Sequence, residues 1–172
     1  MELTLARCSV RSFQEGDAPS LALHADNAAI ACNLRDGFPH PYRIEHAHAF
    51  ISRCRADLPE VNFAIVVDGA AVGSIGYVPG TNVERVSAEL GYWLGEPHWG
   101  RGIATEAVRA VTAHAIEQLG LTRVFAVPFA HNPASCRVLE KAGFTLETRL
   151  HRSAIKDGRG VDQLLYAYVV PD

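Results

Sequence analysis

The sequence predicts an α/β (α+β) fold built on one mixed, mostly antiparallel sheet. Three observations carry that reading. Apolar alternation and apolar helix faces follow one another as strand, two helices, three strands, helix, strand, helix, two strands. No linker, internal repeat or low-complexity tract divides the 172 residues, so 1–172 reads as a single domain. A hydrophobic share of 48% supplies a substantial core. Strict strand–helix alternation is absent, which disfavours a doubly wound nucleotide fold.

Leu3 to Phe13 is predicted to be a first strand, with apolar residues at 3, 5, 8 and 10. Asp17 followed by Pro19 marks a helix entry, a polar cap and an early proline. Asn33 to Tyr42 (NLRDGFPHPY) is loop. Arg43 to Arg55 is a second helix with Ile44, Ala47, Ile51 and Cys54 on one face. Phe63–Val67 and Ala71–Val78 are strands joined by Asp68-Gly69, a strong hairpin signal. Val83–Leu94 is a longer strand. Ile103–Leu119 is a helix that buries Val108, Val111, Ala115 and Leu119 and ends at Gly120. Arg123–Val127 is again a strand. Asn132-Pro133 opens a helix with Ala134, Val138 and Ala142 on one side, stopped by Gly143. Phe144–Leu150 and Val161–Val170 pair as strands around Asp157-Gly158.

Composition excludes several function classes. The formal charge is −3, and no basic stripe marks a nucleic-acid surface. No apolar run approaches the ~18 residues of a membrane span, and no secretory signal pattern follows Met1, so a cytoplasmic protein is expected. The four cysteines, at 8, 32, 54 and 136, have no CxxC spacing, which argues for reduced thiols in or near the core and no metal. His46 and His48, two apart, do not share a helix face. A homodimer is compatible with the sequence.

The chemistry concentrates between Glu89 and Lys141. A strand-like run ending at Leu94 meets Gly100-Arg101-Gly102, which opens an alanine-rich helix. Glycines let the backbone turn sharply and approach a ligand, and the helix start presents unpaired N–H groups and a positive dipole end. Such a construction binds phosphate. An ATP or GTP loop would need Gly-Lys followed by Ser or Thr, and no Gly-Lys pair exists. A dinucleotide fingerprint would need an acid about 20 residues on, where the chain instead reads Val127-Pro128-Phe129-Ala130-His131. The remaining reading is coenzyme A, with its pyrophosphate at the helix start.

FPHPY, ELGYWLGEPHWGRGIATEA, HNPASCRVLEKAGF and the closing DGRGVDQLLYAYV stand in an order that resembles the GNAT superfamily of N-acetyltransferases, in its RimJ/RimL-like branch. The resemblance spans nearly the whole chain. It implies a GNAT-like sheet with helices on both faces and a splayed strand pair, Val83–Leu94 against Arg123–Val127, that admits the pantetheine arm of acetyl-CoA. Pro128, without an N–H, agrees with a ladder that stops there. Leu94 would offer backbone groups to the thioester. Trp99, Gly100, Arg101, Gly102, Ile103, Ala104 and Thr105 would form the pyrophosphate turn, with Trp99 standing where the superfamily often has Gln or Arg. Asn132 would bond the pantetheine amide, cap its helix, or both. Glu89 is the expected general base, with a strand residue facing solvent or a paired structural acid as the alternative. Ser135 is the expected donor to the leaving thiolate, with a plain first-turn serine as the alternative, because Leu139 holds the place where many relatives carry a tyrosine. The acceptor, a peptide N-terminus or a small amine, would lie between Gly37–Tyr42 and the final hairpin. Phe38, Pro39, Tyr42 and Tyr166 would wall it, and Asp36 or Asp162 would hold a cationic end. Two other functions share some of these features. One is a non-catalytic CoA-binding protein of the same fold, and the other is a nicotinamide-dependent oxidoreductase.

Overall fold

A computed structural model describes residues 1–171. They fall into two compact units: Met1–Gly76 with Tyr92–Ala107, and Tyr77–Gly91 with the chain from Val108 onward.

In the first unit, β1 (Glu2–Thr4), β2 (Ser9–Arg11), β3 (Asn62–Val67) and the first part of β4 (Ala70–Pro79) pair antiparallel in that order. The expected single strand Leu3–Phe13 is therefore a hairpin of two short strands. Leu5 N–H donates to the Cys8 carbonyl at 2.9 Å and closes its turn. Asp68 and Gly69 take φ of 50° and 80° at the tip of the β3–β4 hairpin, the left-handed pair that a two-residue turn requires.

Helices α1 (Ala18–Ala25), α2 (Ala28–Ala31) and α3 (Ile44–Ala56) follow β2, one more helix than the sequence signalled. Asp17 does not cap α1 with its side chain. Its carboxylate instead takes a two-armed grip from Arg11, both contacts 2.8 Å, and accepts the Gln14 N–H at 2.8 Å. Phe13, Leu21, Tyr42, Ile51, Cys54 and Val66 pack into one core. Each fully buried Leu or Ile there contributes ~1.5–3 kcal/mol. Ile44, expected on the buried face of α3, is 37% exposed, whereas Ala47, Ile51 and Cys54 are buried. Burial pushes the Cys54 thiol up to about 12, as suits an inert core cysteine. Cys32 departs from expectation and is exposed.

In the second unit, β5 (Ser87–Leu94, its last three residues in the first unit), β6 (Arg123–Ala126), β8 (Arg159–Val169) and β7 (Thr145–Lys156) pair in that order. The β5–β6 pair is parallel and the others antiparallel, which makes the sheet mixed. Residues 82–84 form a 3₁₀ turn, so β5 begins four residues later than expected. Helix α4 (Ile103–Leu119) has the expected bounds; Val108, Val111 and Ala115 are buried, and Leu119 is half-buried. Helix α5 (Pro133–Ala142) buries Cys136, Leu139 and Ala142. The sequence pointed to Ala134 and Val138; Ala134 is exposed and Val138 half-buried. Gly143, at φ 97°, ends the helix. The β7–β8 hairpin is longer than expected and turns on Asp157 (φ 49°) and Gly158 (φ 72°).

Candidate active site

The parallel ladder between β5 and β6 is short. It pairs Ser87 with Arg123, Ala88 with Val124 and Glu89 with Phe125, and ends there. Beyond Glu89, β5 continues through Leu90 and Gly91, while the chain after β6 stays with β8. Leu164 N–H donates to the Pro128 carbonyl and Ala130 N–H to the Asp162 carbonyl, both at 2.9 Å, and Phe129 bridges Gln163. The two strands thus part at Glu89. Gly91 is exposed, and a Cβ built there would meet nothing within 4 Å. This is the splayed pair that the resemblance implies, with β5 backbone open to a ligand where its neighbour has turned away.

Glu89 is half-buried at the last paired position of the ladder. Asn132 accepts the Ser135 N–H with Oδ1 at 3.2 Å and so caps α5. Its side-chain NH₂ donates to no described residue, so the cap leaves two donors for a ligand. Ser135, half-buried in the first turn, is placed by that cap. Cys136, next to it, is buried against Tyr166, and burial raises its thiol.

In the first unit the glycine turn has the geometry its residues suggested. Gly100 and Gly102 take φ of 71° and 78°, on either side of Arg101. Alternation into the left-handed region turns successive N–H groups toward one side and makes an anion-binding concavity. The α-helical ladder begins with Glu106 N–H donating to the Gly102 carbonyl at 3.1 Å, so the donors of Ile103, Ala104 and Thr105 precede it. Trp99 is 44% exposed, and its Nε1–H donates to the Leu94 carbonyl at 2.7 Å. The indole thereby ties the end of β5 to the turn. His98 reaches Arg101 at 3.4 Å and sits edge-on to His24. Burial, then these two neighbours, hold its imidazole below the usual range.

Sequence reasoning missed Arg7. Its guanidinium pairs with Glu106, its backbone N–H donates to the same carboxylate at 3.0 Å, and a Cβ on Gly102 would lie 3.4 Å from its Nε. A glutamate in the first turn of α4 would oppose an anion there, and Arg7 offsets that charge. The two residues are 99 positions apart, and no local pattern announces such a pair.

Two acceptor candidates are reassigned. The Asp162 carboxylate accepts the Arg152 N–H and an Arg149 nitrogen, each at 2.7 Å, with His151 at 3.3 Å. Those contacts, the backbone bond first, hold its carboxyl down to about 2. Asp162 already has its cations. Tyr166 is 2% exposed and donates to Glu140 at 2.9 Å, so it is a core residue of its unit. Phe38, Pro39 and Tyr42 line a cavity in the first unit. No group of three or more metal-ligating side chains occurs among the described residues.

Residues 7–145 match the family model for the acetyltransferase (GNAT) domain. YoaA of Bacillus subtilis, described as an uncharacterised N-acetyltransferase, is 36% identical over 100 residues, 58% of this chain and 56% of its own. The ribosomal-protein-serine acetyltransferase of Escherichia coli is 33% identical over 98 residues, 56% of this chain and 55% of its own. The chain spans about half the length of the curated relatives it matches. Mycobacterium smegmatis RimJ, solved in complex with CoA-disulfide, superposes with a TM-score of 0.83 at 27% identity, over 94% of this chain and 81% of that one. The left-handed glycine turn, the parted strands and the family match over 7–145 agree, and the chain belongs to the GNAT acetyltransferase domain family.

Proposed function

We propose that the chain is an acetyl-CoA-dependent N-acetyltransferase in which a primary amine, a protein N-terminal α-amine or a small-molecule amine, attacks the thioester directly. The observation that carries this reading is the loss of β5's partner beyond Glu89, together with a nest of N–H groups built on two left-handed glycines. The name of the Escherichia coli relative, a ribosomal-protein-serine acetyltransferase, supports a protein as acceptor.

Acetyl-CoA, when bound, supplies the activated acetyl group. The N–H groups from Gly100 to Thr105 suit its pyrophosphate, backbone groups at Leu94 its thioester end, and the Asn132 NH₂ a pantetheine carbonyl. Glu89 takes the proton that the acceptor ammonium must lose before its nitrogen can attack, directly or through one water. Ser135 offers its hydroxyl where negative charge develops on the departing sulfur. A hydroxyl is a weak acid, so that contribution is a hydrogen bond before it is a proton. The amine nitrogen adds to the thioester carbonyl, the C–S bond then breaks, and the second proton of the amine passes to the departing sulfur, so that the products are the amide and a free thiol.

Incubation with acetyl-CoA and a panel of amines and peptides, with free thiol release followed, tests the reading. Turnover with at least one primary amine is expected. Absence of both turnover and acetyl-CoA binding would reject it, and binding without turnover on any amine would favour a non-catalytic CoA-binding protein.

A further inference from the structure

A cavity of about 300 Å³ opens in the first unit between the loop before α3, one face of α3 and the end of β5. That volume is at the lower end of small-ligand sites. Its walls are aromatic: Phe38, Tyr42, Phe50 and Trp93. Phe38 stands 5.0 Å from Tyr42 and 5.7 Å, edge-on, from Trp93. These rings lock one another at spacings favourable for aromatic pairs and present a rigid apolar slot.

The one charged side chain among the lining residues is the cationic Arg53. Arg53 is exposed, its guanidinium 5.5 Å from the Phe50 ring centroid, and it meets no carboxylate among the described residues. His46 accepts the Arg43 N–H on Nδ1 at 2.9 Å, which leaves Nε2 as the ring's donor. None of the lining residues is acidic. A polycation would enter this cavity without a counter-charge and beside a guanidinium, whereas a planar apolar group bearing an anion would find both halves matched. Trp93 immediately precedes Leu94, so the cavity lies one residue along β5 from the stretch assigned to the thioester.

We infer that this cavity is the acceptor's side-chain site, and that the acceptor is an amine carrying an aromatic or bulky apolar group and a carboxylate that pairs with Arg53. The inference rests on the acetyltransferase reading above. The carboxylate could belong to a free aromatic amino acid or to an acidic second residue of a peptide.

Product binding tests the site without requiring turnover. Calorimetry would compare N-acetylphenylalanine, N-acetylphenylalaninamide, the amidated dipeptide N-acetyl-Phe-Asp and N-acetylspermidine, with acetyl-CoA titrated in parallel. At least one of the two carboxylate-bearing aromatic ligands should bind about fivefold more tightly than the phenylalaninamide, the size of a solvent-exposed ion pair. Which of the two binds better identifies the carboxylate's source. In Arg53→Gln that advantage should vanish, while affinity for the amide and for acetyl-CoA stays at the wild-type value. Equal binding of acid and amide, an advantage that survives Arg53→Gln, or preference for the polyamine would overturn the inference. Failure of acetyl-CoA to bind while the acid–amide gap persists would remove the transferase reading and still support the ligand class of the cavity.

Discussion

At the scale of single residues the proposed chemistry falls on Glu89 and Gly102, and they differ in how they are set. Glu89 depends on strand register: it is the last residue of β5 to face a β6 partner. Glu89→Gln keeps the shape and removes the proposed base. Acetyl-CoA affinity should persist while kcat falls ~10²-fold or more at neutral pH, the usual size of lost acid–base catalysis. An unchanged rate would take Glu89 out of the role. Gly102 depends on backbone conformation. Its φ of 78° disfavours any other residue, and Arg7 stands where a side chain would grow.

At the scale of elements, the sequence announced what local chemistry dictates. The Asp68-Gly69 and Asp157-Gly158 turns, the bounds of α4 and the Asn132-Pro133 entry to α5 all follow from turn and cap residues, and all are present. What depended on distant partners was not legible. Asp17 has the composition of a helix cap, but Arg11 and the Gln14 N–H claim its carboxylate. The buried face of α5 is Cys136–Leu139–Ala142 because α5 packs on β7 and β8, and those strands are not visible in its own periodicity. Arg7 joins the glycine turn only through the fold. The end of β5 is set by a similarly non-local contact. A Cβ on Gly73 of β4 would lie 2.4 Å from the Trp93 carbonyl, backbone that cannot swing aside. Gly73→Ala should therefore cost ~1–3 kcal/mol through overpacking. For a chain of this length that is a fall in Tm of roughly 3–10 °C, readable by calorimetry. It should also weaken acetyl-CoA binding, because β5 would shift beside Leu94. A variant with wild-type Tm would show that the strands have slack there.

At the scale of the whole molecule, stability should depend on acid pH through carboxylates held by cations. Burial pushes the Asp17 carboxyl up, but the bidentate Arg11 contact and the Gln14 N–H outweigh it and leave it below its ordinary value. Asp162 is held from 3.8 down to about 2, first by the Arg152 N–H and then by Arg149. Both are more acidic folded than unfolded. Their stabilisation is therefore complete above the unfolded value near 4 and is lost as pH falls toward 2. Urea midpoints should drift down modestly from pH 7 to 5, as the unfolded chain protonates His24, His98 and His114, which burial holds below their ordinary value in the fold, and should decline further below pH 4, where Asp17→Asn should flatten part of the fall. A midpoint independent of pH between 5 and 2 would contradict the linkage.

The central claim is that the turn at Gly100–Gly102 holds the pyrophosphate of acetyl-CoA. The most direct test is calorimetric titration of acetyl-CoA into wild type, Gly102→Asp and Gly158→Asp. The last substitution places the same side chain at φ 72° on the tip of the β7–β8 hairpin, where a Cβ meets nothing within 4 Å. It therefore controls for backbone strain. At Gly102 the carboxylate would enter the nest itself and pair with Arg7. Wild type and Gly158→Asp should bind acetyl-CoA alike and Gly102→Asp should not bind it, with all three folded by circular dichroism; undiminished affinity in folded Gly102→Asp would contradict the claim.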